Sequence, residues 1–406
     1  MQIFCFGLHF DSLKMPEALE RVDSFLTDGQ QHYIATPNPE MVMLAEGDAI
    51  FRLALQGADL NLVDGFGLAL ALRWLTHQSI HRVAGADFLE ALLAHLRGAE
   101  RLFFLGGLCG VAARAAAVAG ERWETAVVGV AEPPYGTYRR VDATVLEVSA
   151  HRDLINLINE RQPSVLIIAL GHGLQEKWLM EYLPSCPSVR VAVAVGGSLD
   201  YLSGNIRRAP SALRRIGLEW LWRLGRQPTR LPRIFRATVF FSYEALRWAW
   251  RMTFFYRPSV VGCILNQQGK VLLVARTDDP AHWQFPQGGQ EPGETPLQAV
   301  RREMREELGL IHLELIGQSR PNVHRYVWGR TFGTMKAEQK RCHYGYRGQR
   351  QTVFYFTFAG QDREIVLDRT EHTAWQWTPR QQLLSVLHPV RRTLGTIILQ
   401  ALTPYA

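Results

Sequence analysis

The stretch RRAPSALRRIGLEWLWRLGRQPTRLPRIFRATVFFSYEALRWAWR (207–251) divides this chain of 406 residues and decides how the rest is read. It holds eleven arginines against two acids, Glu219 and Glu244, a net +9 in a chain whose total is +7. The remainder therefore carries −2, so the basic character is one local patch. Four tryptophans (Trp220, Trp222, Trp248, Trp250) alternate with the arginines. Guanidinium groups meet lipid phosphate and indoles settle at headgroup depth, so this composition suits an anionic membrane surface. Nucleic-acid binding, including RNA, or a solvated helical face is the alternative that charge alone leaves open. One α/β pattern precedes the patch and a different one follows. The expected organisation is a catalytic domain over 1–206, a basic amphipathic appendage over 207–252, and a second catalytic domain over 253–406.

Length and composition agree with two cores. A chain of 406 residues exceeds one ordinary domain, and 47% hydrophobic with 20% charged residues is the balance of a folded globular protein. Five scattered cysteines (Cys5, Cys109, Cys186, Cys263, Cys342) without a CxxC pair imply a reducing compartment, with the thiols as core filler. The opening MQIFCFGLHFDSL has no charged n-region and no long apolar core. No stretch reaches the roughly 18 apolar residues of a spanning helix. Membrane contact is expected to be peripheral, on the cytoplasmic face.

In the first part, short apolar runs each end in a Gly- or Asx-rich turn and lead into a helical pattern. HYIA (32–35) leads into Thr36-Pro37-Asn38-Pro39, with Asn38 placed as an N-cap and Pro39 at the first helical position. LNLV (60–63), LFFL (102–105), VLIIAL (165–170) and VRVAVAV (189–195) follow the same plan. Unbroken apolar strands alternating with helices predict a Rossmann-like, mainly parallel sheet covered on both faces. Ligands of such sheets sit where strand carboxyl ends meet helix N-termini. Asp64 stands directly after an apolar strand beside Gly65, where a carboxylate acts either as a general base or as the cap of the next helix. Thr36, Asn38, Gln175, Glu176 and Asp200 hold equivalent positions with the same two readings.

ATPNPEMVMLA, LVDGFGLALAL, HRVAGADFL, ALGHGLQEKWL and VGGSLDYLSGNIRRAPSALRRIGLEWLWRL, in that order, closely resemble the WecG/TagA/CpsF glycosyltransferases over about residues 1–245. The resemblance implies inverting transfer of a sugar, often N-acetylmannosaminyl or glucosyl, from a UDP-sugar donor to a polyprenyl-diphosphate-linked acceptor. It implies no cofactor for this reaction. It also implies Asp64 as base, with Thr36 and Asn38 beside it and Arg82, Gln175 and Glu176 in the donor and acceptor pocket. The Arg-rich stretch resembles the family's C-terminal appendage, in which Arg207, Arg208, Arg214 and Arg223 would neutralise diphosphate. His172 departs from the residue common among relatives.

After Phe254 the pattern changes. VVGCILNQQGKVLLVAR predicts a hairpin turning at Asn266–Gly269. A helix follows over about Thr295–Leu308, with Leu297, Val300, Met304 and Leu308 as its buried face. Glu303, Glu306 and Glu307, spaced i, i+3, i+4, are expected to converge on another face. Crowded like charges repel, and oxygen-ligated Mg²⁺ or Mn²⁺ is their natural compensation. A solvated charged face is the alternative.

Gly288, Glu294, Arg302, Glu303, Met304, Glu306, Glu307, Gly309 and Leu310 occupy every fixed position of a 23-residue pattern. On them this half resembles a Nudix hydrolase, implying an α/β/α fold with a mixed sheet and metal-assisted cleavage of a nucleotide diphosphate. The family's metal ligands match Glu303, Glu306 and Glu307. WQFPQGG (283–289), GQRQTVFYFTF (348–358) and AWQW (374–377) are similar to the RNA pyrophosphohydrolase and diadenosine polyphosphate hydrolase branch. Glu364 is matched to a distal carboxylate acting as ligand or base, with an exposed strand-edge acid as the alternative. Arg276 and Arg350 are phosphate contacts or surface arginines. The basic insert 327–350 is expected to form a loop over the pocket. The whole chain thus reads as a bifunctional enzyme on the membrane surface, or as a tethered hydrolase whose first domain only binds.

Overall fold

A computed structural model describes residues 1–403 apart from 97, 108, 133–147, 172, 216–218, 227–230, 329–340 and 343. His172 and most of the 327–350 insert therefore lie outside the described residues. The chain forms two compact units, Met1–Arg247 and Trp248–Ala406.

The first unit opens with an antiparallel hairpin, β1 (Gln2–Cys5) and β2 (Leu8–Asp11). A six-stranded sheet follows: β3 (His32–Ala35), β4 (Leu60–Asn61), β5 (Arg101–Gly106), β6 (Ala126–Ala131), β7 (Val165–Ala169) and β8 (Val191–Ala194). Its order is β4-β3-β8-β7-β5-β6, with every pairing parallel. Central strands β3, β7 and β8 are buried along their whole length, as unbroken apolar runs require when helices cover both faces. Ile34, Phe104, Ile167 and Val193 share one core with Phe88, Leu92, Ala112 and Ala115 from the covering helices.

The Arg-rich stretch falls within the first unit as far as Arg247. Helices Glu219–Arg226, Leu231–Phe235 and Phe241–Phe254 are joined in the last two cases by one π turn, Arg236–Phe240. Phe241 and Ala245 are buried in the first unit, where the Phe241 ring lies 5.7 Å from Phe6. Leu231, Phe235, Val239 and Tyr243 instead point outward, each about half exposed or more. Steps of four residues drift around an ordinary α-helix, and the wider π turn takes up that drift, so the four form one stripe.

The second unit is a mixed sheet. Its strands are β9 (Tyr256–Asn266), β10 (Val271–Arg276), β11 (Trp283–Gln284), β12 (Gln287–Gly289), β13 (Glu314–Gln318), β14 (His324–Val327), β15 (Gly348–Phe358) and β16 (His372–Thr378). The long β9 and β15 pair in parallel, while the other contacts are antiparallel. The expected hairpin turns at Gly269, whose φ of 68° suits glycine. Helix Pro296–Leu308 covers one face through Ala299, Val300, Met304 and Leu308, and helix Arg392–Leu402 contributes to a core that includes Val261, Phe285 and Val353. Among the described residues no helix is long and apolar enough to cross a membrane. Four cysteines are buried as expected, but Cys109 is exposed in the turn after β5 and fills no core.

Candidate active sites

A cavity of about 1320 Å³ in the first unit is lined by residues that follow strand ends: Thr36, Asp64, Gly107, Gly171 and Gly197. This is the crevice that a parallel α/β sheet provides for ligands. Arg82, Gln175 and Arg208 line it too. Its outer wall comes from Trp220, Arg233, Thr238, Phe241 and Leu246, so the Arg-rich segment helps to enclose it. Arg233 fastens that wall through a two-pronged pair with Glu40, donating from Nε at 2.8 Å and Nη2 at 2.9 Å.

Asp64 is half-buried, and its Oδ1 accepts the Gly65 N–H at 2.6 Å while its own N–H donates to the Pro37 carbonyl at 3.0 Å. Gly65 has φ 84°, and a Cβ there would lie 2.9 Å from Pro39 Cδ, so only glycine allows the turn. The helix Phe66–Thr76 has Gly65 as its cap residue. Asn38 does cap: its Oδ1 accepts the Met41 N–H at 3.1 Å. Thr36 is buried, with its hydroxyl packed where a side chain on Gly85 would collide.

Gln175 and Glu176 form a relay under the cavity floor. Gln175 Oε1 accepts the Gly196 N–H at 3.1 Å, and its Nε2 donates to Glu176 Oε1 at 2.7 Å. Glu176 Oε2 accepts the Gly173 N–H at 2.9 Å. Glu176 is fully buried and does not line the cavity, contrary to the expectation that both acid and amide face it. Burial pushes its carboxyl up to about 7, with the three hydrogen-bond donors only partly offsetting desolvation.

The arginines divide. Arg208 pairs with Asp87 at 2.7 Å, and Arg214 reaches the same carboxylate at 3.1 Å. Arg82 donates to the Arg214 carbonyl at 3.3 Å. Arg207 is exposed, and nothing is described of the Arg223 side chain. Arg208 and Arg214 thus brace the segment against helix Gly85–Leu96 and are not simply free phosphate binders.

In the second unit the sequence motif builds one hydrogen-bonded cluster. Thr295 caps its helix with the reciprocal Gln298 contact, and Gly309 closes it at φ 68°. Arg302 donates from Nε to Glu294 at 2.8 Å, from Nη2 to Glu294 at 3.1 Å and to the Gly289 carbonyl at 2.9 Å. Its Nη1 lies 2.9 Å from both Glu303 and Glu306. A Cβ on Gly288 would sit 1.8 Å from the Glu303 carboxyl carbon, so the glycine makes the carboxylate's berth. Burial, then the neighbouring Glu307, pushes Glu303 up to about 7. Glu307 is also pushed up by burial, and it accepts the Gln287 N–H at 3.2 Å. It is 3% exposed because it follows Met304 and Val300 by one and two turns. Leu297 is only partly buried.

Glu364 corrects another expectation. It sits exposed in a short turn and accepts the Gln361 N–H at 2.7 Å. The acids that stand together are Glu307 and Glu371, with His372, their ligand atoms within 4.8 Å of one another. Neither Glu371 nor His372 was singled out in the sequence, although TEH (370–372) stands one residue before the AWQW that was. Arg276 is tied to Asp278 at 2.6 Å and 2.7 Å. Gln287 takes up Gln351 at 2.7 Å and Gln284 at 3.3 Å, and Gln284 holds Arg391 at 3.0 Å. Arg350 sits in the β14–β15 pairing.

Residues 3–254 match the Glycosyl transferase WecG/TagA/CpsF family and residues 255–398 match the NUDIX domain. An N-acetylglucosaminyldiphosphoundecaprenol N-acetyl-beta-D-mannosaminyltransferase of Bacillus spizizenii is 31% identical over 52% of this chain and 77% of its own length. An RNA pyrophosphohydrolase of Rhodospirillum rubrum is 32% identical over 37% of this chain and 89% of its own. A solved E. coli dihydroneopterin triphosphate pyrophosphohydrolase is 26% identical with a TM-score of 0.26, over 36% of this chain and 98% of that one. The chain belongs to the WecG/TagA/CpsF glycosyltransferase family, and its second half is a Nudix hydrolase domain.

Proposed function

We propose that the first unit transfers an N-acetylmannosaminyl or similar residue from a UDP-sugar to a polyprenyl-diphosphate-linked sugar, with inversion. The observation that carries this is Asp64 on the wall of one cavity with Thr36, Arg82 and Gln175, at the sheet's carboxyl end. Asp64 takes the proton of the acceptor hydroxyl while that oxygen attacks the anomeric carbon from the side opposite UDP. The bond to UDP breaks, and Arg82 offsets the charge on the departing diphosphate. Thr36, Asn38 and Gln175 hold the surrounding loops in place. The test is transfer from UDP-N-acetylmannosamine to polyprenyl-diphosphate N-acetylglucosamine by wild type and Asp64→Asn. Equal rates sink the assignment, and a wild type that binds donor without turnover favours a mere binding module.

The acceptor is a membrane lipid, so the enzyme works on the cytoplasmic face of the membrane without spanning it. The half-exposed stripe Leu231-Phe235-Val239-Tyr243, with Arg236 beside it, supports an anionic surface as its partner. RNA shift assays run beside vesicle binding at matched salt separate this from a nucleic-acid patch.

For the second unit the proposed reaction is metal-dependent hydrolysis of a phosphoanhydride at an RNA 5′ end or in a dinucleoside polyphosphate. Glu303, Glu306 and Glu307, joined by Glu371, would hold Mg²⁺ or Mn²⁺, which polarises the phosphoryl group. The residues fit such an ion: the half-buried Glu303 carboxylate is crowded by the buried Glu307, and Gly288 leaves Glu303 its berth. Arg302 fixes two of the acids, and the Gln287 N–H donates to a third, Glu307. A turnover panel on wild type and Glu306→Gln, spanning UDP-sugars, dinucleoside polyphosphates and triphosphorylated RNA, tests this. Glu306-dependent cleavage confined to UDP-sugars overturns the substrate class.

A further inference from the structure

We propose that helix Phe66–Thr76 binds the hydrocarbon chain of the acceptor along a row formed by Phe66, Leu70 and Trp74. The inference rests on the first unit being a transferase with a lipid-linked acceptor. It goes beyond that reading by giving the chain its own subsite, so that the enzyme selects its acceptor by the tail as well as by the sugar.

The helix has the composition of an interior element and the placement of a surface one. It reads FGLALALRWLT, and its first polar side chain is Arg73. Apolarity all round belongs to a helix covered on every side. Leu68, Leu72 and Leu75 do turn into the core. Phe66, Leu70 and Trp74 stay in water, 48%, 55% and 47% exposed. Spaced four apart, they fall in one row along the helix.

The row is continuous with the place where transfer is proposed. Phe66 stands two residues after Asp64, and all three side chains line the cavity that holds Asp64, Arg82 and Arg208. At 1.5 Å per residue it runs for about 12 Å from Phe66 to Trp74, away from the carboxylate. Trp220, Ala237 and Leu246 of the Arg-rich segment line the same cavity. One cavity thus offers guanidinium groups and a row of large apolar side chains, a combination that suits an amphiphile with an anionic diphosphate and a hydrocarbon chain. The donor's uracil is the competing occupant of an aromatic row. A base is oriented by polar groups at its edge, which the helix lacks before Arg73, and Leu70 in the middle gives it no ring to stack on.

The test uses the full-length protein with detergent-dispersed acceptors, so that vesicle binding plays no part. Acceptors sharing one diphosphate-linked N-acetylglucosamine carry either a long polyprenyl chain or a single isoprene unit. Transfer is compared for wild type, Leu70→Gln and Trp74→Gln. Wild type should favour the long chain by roughly tenfold in kcat/KM, and both variants should lose most of that preference while the KM for the UDP-sugar stays within about twofold. Thermal unfolding checks each variant. A photoreactive prenyl diphosphate, crosslinked to wild type and located by peptide mass spectrometry, should label residues 66–76, and this decides where a variant does not fold. A chain preference that survives both substitutions, a rise in donor KM alone, or label confined to 231–243 overturns the subsite and leaves the transferase reading intact. Label at 66–76 in a protein that transfers no sugar overturns the transferase reading and keeps the subsite.

Discussion

Both oxygens of Glu294 are held by the fork of Arg302 eight residues later, at 2.8 Å from Nε and 3.1 Å from Nη2. The same guanidinium spends its remaining nitrogen on Glu303 and Glu306, so one planar group sets the position of three acids. Lysine offers a point charge and cannot copy that fork. Arg302→Lys should lower hydrolysis at least tenfold with little change in melting temperature, read by turnover and thermal unfolding on the same preparation. Sugar transfer should be untouched.

Gly288→Ala asks a purely steric question. The new methyl would overlap the Glu303 carboxyl, 1.8 Å away, so the carboxylate must leave its berth. We expect hydrolysis to fall about a hundredfold and divalent-ion affinity with it, measured by calorimetry. Normal activity would mean Glu303 is not needed where it sits.

Glu176 gives the first unit a pH signature. Its carboxyl rises from 4.5 to about 7 on burial, so folding favours the protonated form. The stability it allows is fully present below about 4.5, declines as pH rises toward 7, and stays low beyond. The span is on the order of a few kcal/mol. Glu176→Gln removes the proton equilibrium, and its unfolding free energy should be flatter across that window in denaturant titrations. An unchanged slope would show that Glu176 is not the titrating group.

The outward stripe predicts vesicle binding. Val239→Glu with Tyr243→Glu places two acids on the exposed face and away from the buried Phe241 and Ala245. Co-sedimentation with anionic vesicles should drop severalfold and transfer to a soluble short-chain acceptor should persist. Equal sedimentation would move the contact elsewhere.

Much of this was legible in the sequence because it is local. Unbroken apolar runs such as VLIIA had to be interior strands, and Thr295, Pro296 and Gly309 mark both helix ends. Asp64 was found for the same reason, as an acid directly after a strand. The burial of Glu307 was not legible, because a period of 3.6 puts it on the flank of the apolar stripe, where only packing decides. Glu371 and His372 were invisible: they meet Glu307 through a bulge and a loop 64 and 65 residues away, and no periodicity encodes that. The ion pairs of Arg208 and Arg214 with Asp87 were hidden likewise, since a basic run does not announce which acids it will meet.

The π turn at Arg236–Phe240 fixes more than a local geometry. Removing one residue there would turn everything after it by about 100° about the helix axis. Tyr243 would leave the outer line, and Phe241 and Ala245 could no longer both stay inside. The segment can therefore exchange many of its side chains freely, but its length cannot drift by a single residue: its spelling is loose and its count is strict.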